Sequence, residues 1–145
     1  MANEVCVFCG QKLGAFRSAS VQCAGTFYDA CKDCEKELNN LDEVEICKRA
    51  LDRGIVENPD RLKERIEVIS EAENHRPKCL RCGASLSFMK VQALDNTPLK
   101  DSVYDGAFGV LPAYCESCGK YEFYNPKIVQ KNKYLAYLIS KDINK

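Results

Sequence analysis

Cys79-Leu-Arg-Cys82-Gly83 and Cys115-Glu-Ser-Cys118-Gly119 are the two pieces of sequence that decide the fold of this 145-residue chain. Each supplies two thiolates, and four thiolates together suit a tetrahedral Zn²⁺ ion. The glycine after each pair tolerates a positive φ, which lets a tight turn aim its backbone N–H groups at the sulfurs. The two pieces therefore predict two zinc knuckles that share one metal ion.

A second set of four cysteines lies nearer the N-terminus. Cys6-Val-Phe-Cys9-Gly10 has the same knuckle pattern, whereas no glycine follows Cys31-Lys-Asp-Cys34. Leu38 and Leu41 follow Cys34 at helical spacing instead. This predicts a helix that begins at the Cys31–Cys34 pair, with Asp29 as its N-cap. The helix dipole would favour thiolates there.

A β-hairpin is predicted between these two pairs. Residues 15–23 and 26–28 have strand composition, and Ala24-Gly25 is the expected turn. A knuckle, a hairpin and a helix that carries ligands form the layout of a treble clef. The two metal modules are therefore predicted to differ in type.

The remaining cysteines and the single histidine lie outside both sets. Cys23 ends a predicted strand and Cys47 lies on an apolar helix face, so unpaired packing in the core is the expectation for both. The alternative for Cys23 is a substitute ligand in the first site. His75, in the predicted linker before Cys79, is expected to be a surface side chain rather than a ligand.

Cysteine usage also bears on the compartment. Ten cysteines could form a disulfide framework in a secreted protein, but the N-terminus has no basic and apolar signal segment and no apolar run approaches a membrane span. Metal-bound thiolates in a reducing cytoplasm are the expectation. Iron–sulfur binding and a dithiol redox role for Cys31-Lys-Asp-Cys34 are the alternatives, and the second lacks a visible βαβ setting.

Two helices are predicted after the first module. Residues 42–53 carry an apolar stripe that stops at Gly54, and Asn58-Pro59 is an N-cap followed by proline at the first helical position. These helices form a predicted charged hairpin over residues 42–74. The acidic middle of the chain, residues 29–76, has a net charge of −5, and residues 77–145 have +4. The whole chain has zero formal charge, which two tetrathiolate zinc sites would lower to about −4.

The second module is predicted as a three-stranded ribbon with a closing helix. Its strands are expected within residues 85–94, 103–114 and 120–124, and Asn125-Pro126 begins the helix. The final segment, residues 127–145, contains five lysines and two tyrosines. Lysines with interleaved aromatic rings are typical of single-stranded nucleic-acid binding, although a solvated helix face has the same composition. The nucleic-acid candidates are Lys127, Lys131, Lys133, Tyr134 and Tyr137.

The first set, from Cys6-Val-Phe-Cys9-Gly10 to Cys31-Lys-Asp-Cys34, resembles the short zinc domains at the N-terminus of many uncharacterised bacterial proteins. The second, from Cys79-Leu-Arg-Cys82-Gly83 to Cys115-Glu-Ser-Cys118-Gly119, is similar to a family of bacterial zinc ribbons often called nucleic-acid-binding. The resemblance implies two structural zinc ions, one on each set of four cysteines. It covers about two thirds of the chain and leaves the helical middle out.

The sequence therefore predicts a small, metal-stabilised α+β protein in four segments. These are a treble-clef-like zinc domain over residues 1–41, a helical hairpin over 42–74, a zinc ribbon over 75–126 and a closing helix over 127–145. We expect no enzymatic activity, because four cysteines fill each metal's coordination sphere and one histidine offers no nucleophile–base pair. The expected role is a cytoplasmic adaptor that acts through protein contacts of the helical segment. The alternative is nucleic-acid binding by the basic C-terminal segment.

Overall fold

A computed structural model describes residues 5–14, 18–94 and 108–144 of the chain. Over these ranges the protein is a small α+β molecule with two antiparallel sheets and five α-helices. It divides into two compact units, a first unit of residues 1–69 and a second unit of residues 70–145. The finer division into four segments stays a prediction. No helix in the described ranges has the length and apolar character that a membrane crossing requires.

The first unit begins with a β-hairpin. Strand β1 (Ser18–Cys23) pairs antiparallel with β2 (Thr26–Cys31), in a register that runs from Cys23 opposite Thr26 to Ser18 opposite Cys31. The two turn residues, Ala24 and Gly25, have φ values of 51° and 69°, as a tight two-residue hairpin turn requires. The predicted hairpin is confirmed from Ser18 onward, and residues 15–17 lie outside the described residues. Its second strand is longer than predicted and ends at a cysteine of the first set.

Helix α1 (Lys32–Leu38) follows the hairpin directly. Its N-cap is Cys31, whose sulfur accepts a hydrogen bond from the backbone N–H of Cys34 at 3.5 Å. The prediction of Asp29 as the N-cap is therefore wrong, because β2 continues through Asp29 to Cys31. The helix also ends at Leu38, so Leu41 lies beyond it.

Helices α2 (Glu43–Arg53) and α3 (Pro59–Glu71) follow the predicted bounds closely. Asp42 caps α2 by accepting from the N–H of Glu45 at 2.9 Å, and Gly54 ends it in the left-handed conformation. Asn58 accepts from the N–H of Arg61 at 3.3 Å at the start of α3. Local capping signals therefore located both helices correctly.

The core of the first unit joins the knuckle, the hairpin and the buried faces of α2 and α3. A disulfide between Cys23 and Cys47 crosses this core, with an S–S distance of 2.15 Å, and ties β1 to α2. Both residues are buried, as expected, but the prediction that they stay unpaired is wrong. Helix α2 packs against β1 and brings together two cysteines that are 24 positions apart in the chain.

The sheet of the second unit is arranged around one long strand. This strand, β5 (Phe108–Tyr114), pairs antiparallel with three shorter ones, β3 (Ser87–Phe88), β4 (Gln92–Leu94) and β6 (Tyr121–Tyr124). The sheet thus has four strands where three were predicted, because the first predicted strand is interrupted at residues 89–91. The first part of the predicted strand over residues 103–114 lies outside the described residues.

The C-terminal segment forms two helices instead of the single closing helix predicted. Asn125 caps α4 (Pro126–Val129), and Asn132 caps α5 (Lys133–Ile143) by accepting from the N–H groups of Tyr134 and Leu135 at 3.0 and 3.2 Å. Helix α4 ends at Val129 with Gln130 as its C-cap, and Asn132 then starts α5, a break that the sequence analysis did not predict. Buried Val129, Leu138 and Ile139 join both helices to the core of the second unit.

The segment predicted as a linker is a structural part of the second unit. Residues 72–75 form a short 3₁₀ helix, and Arg76 after it forms a buried ion pair with Asp142 of α5. The Nη1–Oδ2 distance is 2.6 Å, and the two side chains are 8% and 3% exposed. Asp142 also accepts from the N–H of Phe88 at 2.9 Å. The ion pair therefore links the start, the sheet and the end of this unit.

Candidate metal centres

Four sulfurs of the second unit lie together in one group. The Sγ atoms of Cys79, Cys82, Cys115 and Cys118 all lie within 4.8 Å of one another. The Cys79–Cys118 and Cys82–Cys115 pairs are 3.6 and 3.4 Å apart. Sulfurs at the corners of a tetrahedron around Zn²⁺, each about 2.3 Å from the ion, would be about 3.8 Å apart. The group therefore has the dimensions of a four-sulfur metal site, and its sulfurs are far outside disulfide bonding distance.

The first unit contains a matching group. The sulfurs of Cys6, Cys9, Cys31 and Cys34 also lie within 4.8 Å of one another, with Cys9 and Cys31 3.7 Å apart. Cys6 and Cys31 are buried, and the other two are partly exposed. Each of the two groups could hold a metal ion, and the structure brings together the two sets of four that the spacing predicted.

Three of the four cysteine pairs lie on turns with the same hydrogen bonds. In each turn the glycine N–H donates to the carbonyl oxygen of the first cysteine at 2.8 Å, and the glycine has a φ between 71° and 75°. The N–H of the first cysteine donates in turn to a carbonyl beyond the glycine, at 2.8 or 2.9 Å. These turns end at Gly10, Gly83 and Gly119, which are the three knuckle positions predicted from the sequence.

The fourth pair is held in a different way. Cys31 is the last residue of β2 and the N-cap of α1, and Cys34 lies in the first turn of that helix. The backbone N–H of Cys34 donates to the Cys31 sulfur at 3.5 Å, whereas burial and the neighbouring thiols of Cys31, Cys9 and Cys6 raise the pKa of Cys34. The end of β2 and the first turn of α1 therefore position this pair of sulfurs, whereas a glycine turn positions each of the other three pairs.

Thiol acidity within each group is uneven. Backbone N–H donors, led by that of Cys82, lower the pKa of Cys79 to about 7. Burial opposes ionisation of Cys6, but N–H donors led by that of Cys31 lower its pKa to about 7. The N–H of Ala84 favours the Cys82 thiolate, yet the adjacent thiols, led by that of Cys115, raise the pKa of the exposed Cys82 to about 12. Because crowded thiolates repel, a divalent cation is the natural partner that lets all four ionise.

The predicted nucleic-acid residues of the C-terminal segment are only partly available. Tyr134 stacks on His75 with ring centroids 4.0 Å apart, and the ammonium of Lys133 lies 5.2 Å from the centre of the Tyr134 ring. Tyr134 and Tyr137 also pack against the core of the second unit. Lys127 and Lys131 are exposed. The two tyrosine rings are thus engaged in packing, which the lysine and tyrosine composition alone did not reveal.

His75 belongs to neither sulfur group. It is exposed, as predicted, but its ring lies parallel to that of Tyr134 with an interplanar angle of 5°. Cys23 is bonded to Cys47, so it is not a substitute ligand for the first site. Each group contains the four cysteines of the paired motifs and no other ligand type among the described residues.

Two exposed aromatic residues were missed as functional candidates. Tyr121 and Phe123 alternate with partly buried Glu122 and Tyr124 along β6. The sequence signal was present, because a strand with aromatic residues on both faces must expose one set when only one face meets the core. The alternation was interpreted only as evidence for a strand.

No protein-family model matches this chain, and neither a curated protein nor a solved structure matches it. The resemblances drawn from the cysteine motifs therefore remain expectations. The interpretation of the two metal centres rests on the sulfur geometry and the turns that hold it.

Proposed function

We propose that this protein is a non-enzymatic adaptor with two structural zinc ions, one on each group of four cysteines. In this proposal the first unit is a treble-clef-like zinc domain and the second is a zinc ribbon. The working compartment is the cytoplasm, where the burial of Cys23 and Cys47 shields their disulfide from reductants. The metal ions stabilise two small cores, and the surfaces of those cores make the functional contacts.

One observation carries the proposal. Each group offers four sulfurs that lie within 4.8 Å of one another, close enough for the protein to fill all four positions of a bound Zn²⁺ ion. A catalytic zinc ion needs an open position for water or substrate, and thiolate sets of this type are typical of structural sites. The eight residues proposed as ligands are Cys6, Cys9, Cys31, Cys34, Cys79, Cys82, Cys115 and Cys118.

The charge of the first unit supports protein contacts. Residues 1–69 contain ten basic and thirteen acidic side chains, a net charge of −3, and a tetrathiolate zinc site would lower it to about −5. Helix α2 buries Ile46, Cys47 and Ala50 and leaves Asp52 exposed, and Asp60 of α3 has 89% of its side chain exposed. A negative surface repels nucleic acid and favours a basic protein partner.

X-ray absorption at the zinc edge tests the structural zinc sites. The purified protein should show four sulfur neighbours per zinc at about 2.3 Å and no oxygen or nitrogen neighbour. An oxygen or nitrogen in the coordination sphere would indicate an open or mixed site and would remove the basis for a purely structural role.

Cross-linking in cell extract tests the protein contacts separately. Proteins that cross-link to the first unit should be lost from an Asp52→Lys/Asp60→Lys variant, because the exposed charge there is reversed. A Lys127→Glu/Lys131→Glu variant, which changes exposed charges of the second unit, is the matched control and should retain them. An unchanged set of cross-linked proteins in the first variant would contradict an adaptor role for the helical segment.

A further inference from the structure

The second unit exposes an aromatic surface that the adaptor role does not use. Tyr121 and Phe123 are 54% and 65% exposed, and they lie on the same face of β6 because they are two residues apart in a strand. Exposed aromatic rings at alternate positions of a strand are unusual, since each ring loses favourable burial. We call Tyr121, Phe123 and the residues opposite them on β5 and β3 the aromatic face.

The strand register extends this face across the sheet. Tyr121 is opposite Tyr114, with ring centroids 6.2 Å apart, and Tyr114 is opposite Ser87. Phe123 is opposite Pro112, whose carbonyl accepts from the N–H of Met89 at 2.9 Å. Tyr114 is partly exposed and Met89 is exposed, whereas Pro112 between them and Phe123 is buried. Aromatic and apolar side chains thus line two neighbouring rows on one side of the sheet.

Positive charge borders the aromatic face. Lys90 follows Met89 and is exposed, and Lys127 and Lys131 are exposed on the segment that continues from β6. Lys127 lies four positions after Phe123 in the chain, which limits the distance between their Cα atoms to about 14 Å. Within residues 121–131, all of which the structure describes, the only acid is Glu122, and it is 14% exposed and paired with Lys120 at 3.5 Å. The border of this surface on β6 and α4 therefore presents lysine and no exposed carboxylate, whereas at its β5 edge the exposed Glu116 accepts a hydrogen bond from the Tyr114 hydroxyl at 2.9 Å.

The combination of exposed aromatic rings and lysines is more typical of a surface that binds single-stranded nucleic acid than of a protein interface. Protein interfaces are enriched in tyrosine, phenylalanine and methionine but depleted in lysine. Surfaces that bind single-stranded nucleic acid combine aromatic rings, on which bases stack, with cations along the backbone. A duplex keeps its bases stacked inside and offers no free base face to Tyr121 or Phe123. We propose that the aromatic face of the second unit binds single-stranded nucleic acid by stacking bases on Tyr121 and Phe123.

This inference goes beyond the protein contacts proposed for the first unit. It keeps Lys127 and Lys131 as candidates and moves the aromatic candidates from Tyr134 and Tyr137 of α5 to β6. Residues 70–145 carry eleven basic and eight acidic side chains, a net charge of +3 that a tetrathiolate zinc site would lower to about +1. Phosphate attraction is therefore weak, and stacking supplies most of the affinity. With two or three lysines on phosphates, the slope of log affinity against log salt should be about −1.4 to −2.1.

Fluorescence anisotropy with zinc-loaded full-length protein and a labelled twelve-nucleotide oligo(U) or oligo(dT) tests the proposal. The wild type should bind in the micromolar range at about 150 mM salt, and Phe123→Ala and Tyr121→Ala should each bind roughly tenfold more weakly, as expected for one lost stacking ring. The matched control is Phe27→Ala, which removes a 67% exposed ring from β2 in the first unit and should leave the affinity unchanged. Lys127→Ala/Lys131→Ala should lower the magnitude of the salt slope.

Three results would overturn the proposal. The first is an absence of oligonucleotide binding at a protein concentration 100-fold above the micromolar range. The second is equal affinity of the wild type for the single strand and for a duplex of the same length. The third is equal affinity of the Phe123→Ala and wild-type proteins for the single strand. Protein cross-links confined to the aromatic face, without oligonucleotide binding, would assign this face to a protein partner instead. Zinc content and circular dichroism of every variant are measured in parallel. Lost binding with intact metal assigns the loss to the aromatic face and leaves the proposed zinc sites standing, whereas a wild-type protein that holds no zinc but still binds the oligonucleotide would count against those sites and not against the aromatic face.

Discussion

The two units place the same four-cysteine chemistry on different backbones. The second unit holds its sulfurs on two knuckles with matching hydrogen bonds, and its ends are tied by the buried Arg76–Asp142 ion pair. The first unit uses one knuckle and one helix N-terminus, and the Cys23–Cys47 disulfide ties β1 to α2. The disulfide of the first unit stays in place when the metal ion is removed, whereas removal of the ion from two knuckles leaves four crowded thiols with no partner cation. We therefore expect the folding stability of the second unit to depend more strongly on its metal ion than that of the first.

Removal of one cysteine ligand from each unit in turn should produce the largest difference in folding stability between the two units. Structural zinc contributes roughly 10–16 kcal/mol of apparent folding free energy in small zinc fingers, so Cys82→Ser should unfold the second unit. Cys34→Ser should also release a metal ion, but the disulfide should keep β1 and α2 of the first unit partly protected. Residue-resolved hydrogen exchange on the full-length variants measures both effects. Equal loss of protection in the two units would contradict the comparison.

The buried ion pair should give the next largest effect. Asp142→Asn removes the charge that faces Arg76, and breaking a buried ion pair by removing one partner costs about 3–5 kcal/mol. Glu73 also pairs with Arg76, at 2.6 Å, so the loss should lie near 3 kcal/mol. Urea unfolding followed by exchange in the second unit gives the value. Asp60→Asn in the first unit, at an exposed acid, is the control and should change stability little.

The disulfide should affect the first unit alone. It closes a loop over 24 positions, for which the chain-entropy model gives about 3.5 kcal/mol. Cys47→Ser, or mild reduction of the wild type that leaves both metals bound, should lower the unfolding midpoint of the first unit and not that of the second. A variant as stable as the wild type under non-reducing conditions would show that Cys23 and Cys47 contribute only packing.

Removal of a helix N-cap should cause the smallest loss of folding stability, and only in the unit that contains the helix. Asn132→Ala removes the acceptor for two N–H groups of α5, and Asp42→Ala removes the acceptor for one N–H group of α2. Each substitution should cost about 1 kcal/mol, the usual value for a lost N-cap. Thermal unfolding with unit-specific NMR signals separates the two. A shift in both units from either variant would show that the units unfold together.

The elements that the sequence predicted well are those with local causes. The knuckle glycines, the Ala24-Gly25 turn and the Asn58-Pro59 helix start each act through backbone groups a few residues away. The missed features join distant positions. Arg76 meets Asp142 across 66 residues, and Cys23 meets Cys47 only after α2 has packed on β1. Tertiary packing decides such pairs, and periodicity in a single sequence contains no signal for them.

The cap of α1 shows how a local prediction failed. Asp29 is a good N-cap residue by type, and a helix start before the cysteine pair was plausible. Pairing with β1 keeps the backbone extended through Cys31, so the cysteine sulfur becomes the capping acceptor. The strand pairing therefore outweighed the capping preference, and it placed a proposed ligand at the helix N-terminus.

Native mass spectrometry of protein prepared without added metal tests whether both groups of four cysteines hold a zinc ion. We expect the mass of the chain with two zinc ions and one disulfide, and eight titratable thiols after chelation and denaturation without reductant. Ten titratable thiols with two zinc ions would contradict the disulfide alone. One zinc ion or none, or four disulfides among the eight paired cysteines, would contradict the two four-sulfur metal centres.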